Sequence, residues 1–373
     1  MGRHALLSAS SAHRWVNCPP SARLCADVED KASSYAAEGT DAHELCEHKL
    51  KSALGMPIQD PTPRLSHYGS EMEEHAQSYA DFVLEQVESA RLSCKDPVVL
   101  VEQRVDFSRW VPEGFGTADC VVVADGTLQV VDFKYGVGVL VDADGNEQMR
   151  CYALGALELF SSIYDLDTVR MTIFQPRRDN LSTSEMAVDD LLVRAEETLR
   201  PAAELAYAGK GEAACGQWCA FCKAKATCRA RAEANLELAR LEFHVPPLLA
   251  DDEVEDILGK LDQLVAWASD IKDYALRQAV SGKRWAGFKL VEGRSNRRYV
   301  DDDSVAAAVE AAGFDPYERR LLGITAMQRL LGKRRFDEVL CGLVEKPRGK
   351  PTLVPEDDKR PPMSDATQDF ITK

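Results

Sequence analysis

Two neighbouring predicted strands each carry a carboxylate, and this pattern constrains the fold of the chain more than any other. Asp119 ends the string Gly116-Thr117-Ala118-Asp119, and Asp132 and Lys134 lie in Val131-Asp132-Phe133-Lys134. The dipeptide Asp125-Gly126 between the two strands is a strong hairpin signal. Because side chains alternate along a strand, Asp132 and Lys134 are expected on one face and Phe133 on the other.

This arrangement is typical of a site for a divalent cation. Two carboxylates can bind a hard metal ion, and a neighbouring lysine can orient or activate a water molecule. The sequence therefore favours metal-dependent hydrolysis. The alternative is a hairpin whose solvent-facing edge carries an ordinary salt bridge.

Residues on two predicted helices extend the pattern. His43 and Glu47 are four apart on a helix predicted near 33–54, so they share one face. Gln148 and Tyr152 have the same spacing on a helix predicted at 146–163, directly after the lysine strand. Taken alone, each pair would be an unremarkable helical surface.

Composition bounds the class of protein. The chain has 373 residues, 45% hydrophobic and 28% charged, which is ordinary for a globular protein with two or three structural units. No apolar run approaches the ~20 residues of a membrane span. The net charge of −16 argues against a protein that coats nucleic acid by bulk electrostatics. It does not exclude an enzyme that binds nucleic acid in a local basic groove.

Four of the eleven cysteines are crowded together, at Cys215, Cys219, Cys222 and Cys228. This spacing is typical of a zinc or an iron–sulfur site. Because no secretion signal is evident, the cysteine usage predicts a reducing, cytoplasmic compartment.

The motifs G-x-x-x-H-x-x-x-E, G-x-x-D, V-D-F-K and Q-x-x-x-Y, in this order, resemble the nuclease domain of the PD-(D/E)XK superfamily. The RecB-type iron–sulfur branch is the nearest likeness, together with the related CRISPR-adaptation nucleases. This resemblance implies an α/β, restriction-endonuclease-like core: a mixed central β-sheet flanked by helices. The resemblance covers a nuclease domain at 1–230. Beyond it, the sequence patterns predict a mostly helical extension at 231–345, with a small hairpin from 284–292 and 297–300, and a polar, flexible tail at 346–373.

The resemblance also implies roles for the site residues. The metal, Mg²⁺ or Mn²⁺, would be bound by His43, Asp119, Asp132 and the backbone carbonyl of Phe133. Lys134 would position or activate the attacking water. Support for the site, or contact with DNA, would come from Glu47, Gln148 and Tyr152.

The same branch has one cysteine before the nuclease core and three after it. By this likeness Cys18, in Cys18-Pro19, would join Cys219, Cys222 and Cys228 around a [4Fe–4S] cluster, with Cys215 as the alternative fourth ligand and zinc as the alternative metal. Such a four-cysteine staple would close a loop of about 200 residues and so restrict the unfolded chain.

The sequence-based expectation is a metal-dependent DNA exonuclease in phage or prophage DNA recombination, replication or repair, in a bacterial host cell. Expected partners are DNA and a single-strand-binding or annealing protein or a helicase, with no membrane, and an oligomer stays open. The rivals are a structure-specific endonuclease, a non-catalytic DNA-binding scaffold on the same fold, and a zinc protein that regulates transcription.

Overall fold

The computed structural model describes residues 5–26, 28, 34–92, 94–239, 251–292, 299–317 and 321–345. The chain divides into two compact units, Met1–Gln278 and Ala279–Lys373. The first unit is a mixed α/β structure around one five-stranded sheet, and the second is helical in its described part. These features confirm the predicted mixed sheet with flanking helices and the helical C-terminal part.

The sheet has its strands in chain order: β1 (Val98–Asp106), β2 (Phe115–Ala124), β3 (Gly126–Phe133), β4 (Leu166–Gln175) and β5 (Asn180–Ala187). Strands β1, β2 and β3 are antiparallel neighbours, β3 and β4 are parallel, and β4 and β5 are antiparallel. Gly126, with φ +75°, closes the predicted turn between β2 and β3. A parallel pair needs a crossover, which here contains a helix at Glu147–Phe160.

Nine α-helices are described in the first unit: α1 (Ala12–Asn17), α2 (Ser21–Ala26), α3 (Ser34–Ala53), α4 (Ser70–Ala90), α5 (Glu147–Phe160), α6 (Val188–Arg194), α7 (Arg200–Ala208), α8 (Arg229–Ala239) and α9 (Asp251–Val280). A π-helical turn, Ala195–Leu199, joins α6 to α7. Short 3₁₀ turns lie at Ala9–Ser11, Thr62–Arg64, Pro176–Arg178 and Gln217–Phe221.

The two faces of the sheet bury separate cores. Val121 and Val123 of β2 pack with α1, α5, α6 and α7 on one face. Cys120 and Val122 pack with α3 and α4 on the other. Because both faces are covered, the central strands are apolar almost throughout, and a polar side chain inside them stands out.

The sequence pattern predicts a helix over about 186–208 and no strand at β5. The helix begins instead at Val188, after β5. Strand β5 pairs only with β4 and is mostly polar, with a hydroxyl contact between Thr172 and Thr183 (3.1 Å). An edge strand needs one covered face at most, so it has little of the apolar signal that marks an interior strand.

The second unit contains α10 (Asp302–Ala311), α11 (Ile324–Leu331) and α12 (Lys333–Leu340). A small hairpin was predicted from 284–292 and 297–300, but residues 284–292 and 299–300 form no strand. Residues 297–298 and the tail at 346–373 lie outside the described part of the chain. Helix α9, predicted as part of the extension, groups with the first unit up to Gln278.

Candidate metal centre

The polar side chains predicted as a site meet beside β2 and β3. Helix α3 presents His43, whose Nδ1 lies 3.3 Å from Oδ1 of Asp119 on β2. The other oxygen of Asp119 accepts the amide of Phe133 at 2.7 Å. The Phe133 ring packs against the His43 imidazole with 5.4 Å between centroids. These contacts fix Asp119 and His43 relative to β3.

Lys134 and Asp132 lie on the same side of β3, as the strand alternation predicts. Lys134 Nζ is 2.9 Å from Oδ2 of Asp132 and donates to Oε1 of Gln148 at 3.0 Å. Gln148 donates in turn to Asp132 (3.3 Å) and to the Tyr152 hydroxyl (3.1 Å). Asn146 caps α5 by accepting the amides of Gln148 and Met149, which places Gln148 at the helix end facing the sheet.

Glu102 on β1 completes the site, and the sequence analysis missed it. One ligand atom from each of His43, Glu102 and Asp119 lies within 4.8 Å of the other two. Glu102 and Asp119 face each other where the β1–β2 pairing is interrupted, although the register is the same on both sides. Glu102 has φ +53°, a conformation that is strained for a non-glycine residue.

The interruption reverses the faces of both strands. In a regular strand, Val101 and Val105 would lie on the same face because they are four residues apart. Here Val101 belongs to the core under α3 and α4, and Val105 belongs to the core on the opposite face. Cys120 and Ala118 are divided in the same way. No regular alternation predicts this reversal, so the spacing of Glu102 from Asp119 gives no signal in the sequence.

The electrostatics of the site show an excess of buried negative charge. Burial and the nearby Asp119 raise the pKa of Glu102 to about 7. Burial raises the pKa of Asp132 despite the opposing effect of Lys134. Burial lowers the pKa of His43, but the charge of Asp119 and its hydrogen bond outweigh this and leave the pKa raised. A bound cation would relieve this repulsion.

The donors fit a hard divalent cation. Oδ2 of Asp132 is buried and lies 2.9 Å from the Lys134 ammonium, and its second lone pair is available to a cation. A histidine nitrogen and carboxylates are ligands that Mg²⁺ and Mn²⁺ accept. The ligand atoms that converge come from His43, Glu102 and Asp119, and these three residues would hold such an ion. Asp132, also predicted as a ligand, is outside this group and pairs with Lys134.

Two predicted site groups stand apart from these contacts. The Glu47 carboxylate forms an ion pair with Lys51, one turn further along α3, with 2.6 Å between Oε1 and Nζ. Its charge still acts on Glu102, whose pKa it raises slightly. Phe133 contacts the site through its amide, which donates to Asp119, and through its ring, which packs against His43. These contacts do not involve its carbonyl, the group predicted as a metal ligand.

The cysteines from both ends of the first unit are brought together. Cys18 ends α1 and is buried, and α1 packs against the turn Gln217–Phe221 that contains Cys219. Cys25, which the sequence analysis did not select, lies with its Sγ 3.6 Å from Sγ of Cys222. The hydrogen bond from Cys222 lowers the pKa of Cys25 to about 5. Cys25 is thus a further candidate ligand, seven residues after Cys18.

The other cysteines of this region form a less compact group. Burial, together with the neighbouring Cys219, raises the pKa of Cys215 to about 11. Cys228 is half-buried. Within the described part of the chain no three thiols approach within 4.8 Å, whereas a single tetrahedral zinc would hold its sulfurs about 4 Å apart.

Fold and centre together define a mixed α/β protein with a candidate site for a divalent cation beside its central strands. The chain belongs to the family described as "Protein of unknown function (DUF2800)", whose model matches residues 4–361.

Among solved structures, the chain is similar to one titled "Crystal structure of SSO0001", at 19% identity and a TM-score of 0.22. That match covers 50% of this chain and 95% of the other. At such a TM-score the function must be argued from this chain's own residues. In the described residues, no helix is both long and apolar enough to cross a membrane.

Proposed function

We propose that this protein is a Mg²⁺- or Mn²⁺-dependent deoxyribonuclease, acting as an exonuclease that hydrolyses phosphodiester bonds of DNA. The observation that carries the proposal is the convergence of His43, Glu102 and Asp119 within 4.8 Å, beside the Lys134–Asp132 pair. The resemblance to PD-(D/E)XK nucleases of the RecB type is consistent with the same chemistry. We further propose a structural [4Fe–4S] cluster on the converging cysteines and a cytoplasmic setting in DNA recombination, replication or repair.

The chemistry requires charge compensation. Phosphodiester hydrolysis adds negative charge to a group that is already anionic, and a cation held by His43, Glu102 and Asp119 would stabilise that charge and polarise the attacking water. The protein residues supply orientation. Lys134 has a raised pKa because the charge of Asp132 outweighs the effect of burial, so its ammonium persists near neutral pH.

A protonated Lys134 orients water better than it removes a proton from it. Its Nζ is held between Asp132 and Gln148, which leaves one remaining N–H to direct toward a water or a phosphate oxygen. Tyr152 holds Gln148 from the far side. We therefore assign Lys134 to orientation of the nucleophile and stabilisation of the phosphate, with Gln148 and Tyr152 as positioning residues.

The test is cleavage of 5′- and 3′-end-labelled single- and double-stranded DNA with Mg²⁺ or Mn²⁺, by native protein and by Lys134→Ala. We expect the native protein to cleave and the variant to lose about 10²–10³-fold in rate, as for loss of one electrostatic donor. Lys95→Ala is the matched control, because Lys95 is an exposed lysine that precedes β1 and has no contact with the site among the described interactions. The product ladder distinguishes an exonuclease from a structure-specific endonuclease. Absence of cleavage by cluster-loaded native protein, with and without a helicase or annealing partner, would favour a DNA-binding scaffold.

A further inference from the structure

A cleft of about 960 Å³ lies outside the metal centre and has no role in the chemistry above. Its walls come from the N-terminal segment 5–26, the start of β2, the end of α7 and the cysteine-containing segment. It is formed only because α1 packs against both α7 and the turn Gln217–Phe221. The side chains around it combine positive charge with aromatic rings.

The positive charge is local in a chain whose net charge is −16. Among the described residues that line the cleft, Arg14, Arg23 and Lys223 are basic and Glu113 is the one carboxylate. Arg14 donates to the carbonyl and hydroxyl oxygens of Ser21, and Arg23 donates to the carbonyl of Tyr207. Within the described residues neither arginine forms an ion pair with a carboxylate, although the Arg14 charge helps to lower the pKa of the Cys25 thiol in the same cleft.

The aromatic lining comes from four side chains spread along the same walls, Phe115, Tyr207, Trp218 and Phe221. Phe221 is 68% exposed, a large exposure for a phenylalanine beside a buried cysteine. The Arg23 guanidinium lies over the Tyr207 ring at 5.1 Å. Aromatic faces beside guanidinium groups are the surface on which unpaired bases stack while their phosphates contact positive charge.

The cleft adjoins the metal centre through β2. Gly116 follows Phe115, which lines the cleft, and a Cβ built at Gly116 would meet Tyr152 Cε1 at 2.7 Å. The residue after the cleft lining therefore packs against Tyr152, which accepts a hydrogen bond from Gln148. Phe115 precedes Asp119 by four strand residues, about 13 Å. A strand lying in the cleft would therefore reach the metal centre within a few nucleotides.

We infer that this cleft binds single-stranded DNA, with bases on Phe221 and its aromatic neighbours and phosphates on Arg23 and Lys223. This inference rests on the proposed function for the identity of the strand. It goes beyond the nuclease assignment because it names which form of DNA the protein holds and where. Duplex DNA is excluded as the occupant because its bases have no free faces to stack on aromatic rings.

The test measures binding without cleavage, by fluorescence anisotropy of a labelled oligothymidylate in EDTA. The variants are Phe221→Ala, Lys223→Gln and the double variant Arg23→Gln/Lys223→Gln. Lys95→Gln is the matched control, an exposed lysine that precedes β1 at the end opposite Asp106. Circular dichroism and absorbance near 400 nm confirm that each variant is folded and carries its cluster.

We expect Phe221→Ala to weaken binding about tenfold through lost stacking. The double variant should also reduce the slope of log affinity against log salt by about 0.7 for each charge removed. Lys95→Gln should bind like the native protein. Native affinity in Phe221→Ala and Lys223→Gln, or a loss confined to duplex DNA, would overturn the inference.

The outcome is separable from that of the proposed function. Binding that the variants weaken, from a protein that cleaves no DNA, supports the cleft and refutes the nuclease. Cleavage by a native protein whose cleft variants bind normally supports the nuclease and refutes the cleft.

Discussion

The backbone at Glu102 adopts φ +53° in the middle of a β-strand. Such a conformation costs of order 1–3 kcal/mol in a non-glycine residue and persists only where the surroundings impose it. Here it directs a carboxylate toward His43 and Asp119 and interrupts the pairing of β1 with β2. Strain of this kind concentrated at one point of the sheet is consistent with a functional role for Glu102.

Glu102→Gln should weaken Mn²⁺ binding while stabilising the metal-free protein. The pKa of Glu102 is raised to about 7, so its ionised form is disfavoured in the folded state. The resulting destabilisation is fully present above pH 7 and disappears as the pH falls toward the unfolded value near 4.3. At pH 8 the metal-free variant should therefore unfold at higher denaturant concentration, by on the order of 1 kcal/mol or more.

Calorimetric titration with Mn²⁺ and urea unfolding of metal-free protein check both effects. Glu74→Gln is the control, because Glu74 is exposed on α4 and is not among the groups that shift the pKa of Glu102. Equal Mn²⁺ affinity in native protein and Glu102→Gln would exclude Glu102 from the metal centre.

Residue spacing predicted part of this site and could not predict the rest. The alternation of β3 correctly placed Asp132 and Lys134 on one side, and the four-residue spacing placed Gln148 beside Tyr152. Glu47 forms an ion pair with Lys51 on its own helix instead of a contact in the metal centre. The sequence cannot predict which of the two Glu47 contacts, because this depends on how α3 packs against the sheet. Glu102 was missed because its backbone departs from the regular strand on which such reasoning depends.

At the level of secondary structure, the apolar strands and long helices were recognisable from sequence, whereas the polar edge strand β5 was not. Strands β1 to β4 are apolar because helices cover both of their faces. The convergence of the N-terminal segment with the cysteine-containing segment depends on the packing of α1 against Gln217–Phe221, about 200 residues away in sequence. No local pattern records which of Cys18 and Cys25 faces the later cysteines.

Cys25→Ser and Cys18→Ser separate the two candidate ligands from the N-terminal segment. The resemblance implies Cys18, whereas the 3.6 Å contact with Cys222 favours Cys25. We expect the substitution of the cysteine that binds the cluster to remove the iron and the absorbance near 400 nm. The substitution of the other cysteine should leave both unchanged. Iron retention in both single variants would point to Cys215 as the fourth ligand.

Asp270 links α9 to the cysteine-containing segment. Its carboxylate pairs with Arg231 at 2.5 Å and with Lys225 at 2.9 Å, and the Arg231 side chain is only 5% exposed. Burial raises the pKa of Asp270, but the hydrogen bonds from these two cations outweigh it and leave the pKa lowered. The pair therefore stabilises the fold above the unfolded pKa of about 3.9, and this stability is lost as the pH falls through the folded value.

Asp270→Asn should destabilise the protein by about 3 kcal/mol at pH 7, because it leaves the buried Arg231 without a counter-charge. Urea unfolding at pH 7 measures the difference, and the same measurement near pH 3 should show a smaller one. Asp273→Asn, on the same helix, is the control. Equal stability of native protein and Asp270→Asn at pH 7 would mean that α9 is held by other contacts.

At the scale of the whole molecule, the candidate metal centre and both sheet cores lie within the first compact unit. A protein ending after Gly282, beyond the last residue of α9, should fold and bind Mn²⁺ with native affinity. Calorimetry and circular dichroism measure these properties, and loss of the metal site on truncation would show that residues beyond 282 support it. Any change in DNA affinity would then be assigned to the second unit.

The decisive test of the metal-dependent nuclease assignment is DNA cleavage followed as a function of Mn²⁺ concentration, in parallel with Mn²⁺ binding. Native protein, Glu102→Gln and the double variant Asp119→Asn/Asp132→Asn would be compared on the same end-labelled substrate. This assignment predicts that half-maximal cleavage coincides with half-maximal binding, that both shift together in Glu102→Gln, and that both vanish in the double variant. Cleavage that survives in the double variant, or Mn²⁺ binding without cleavage in native protein, would contradict it.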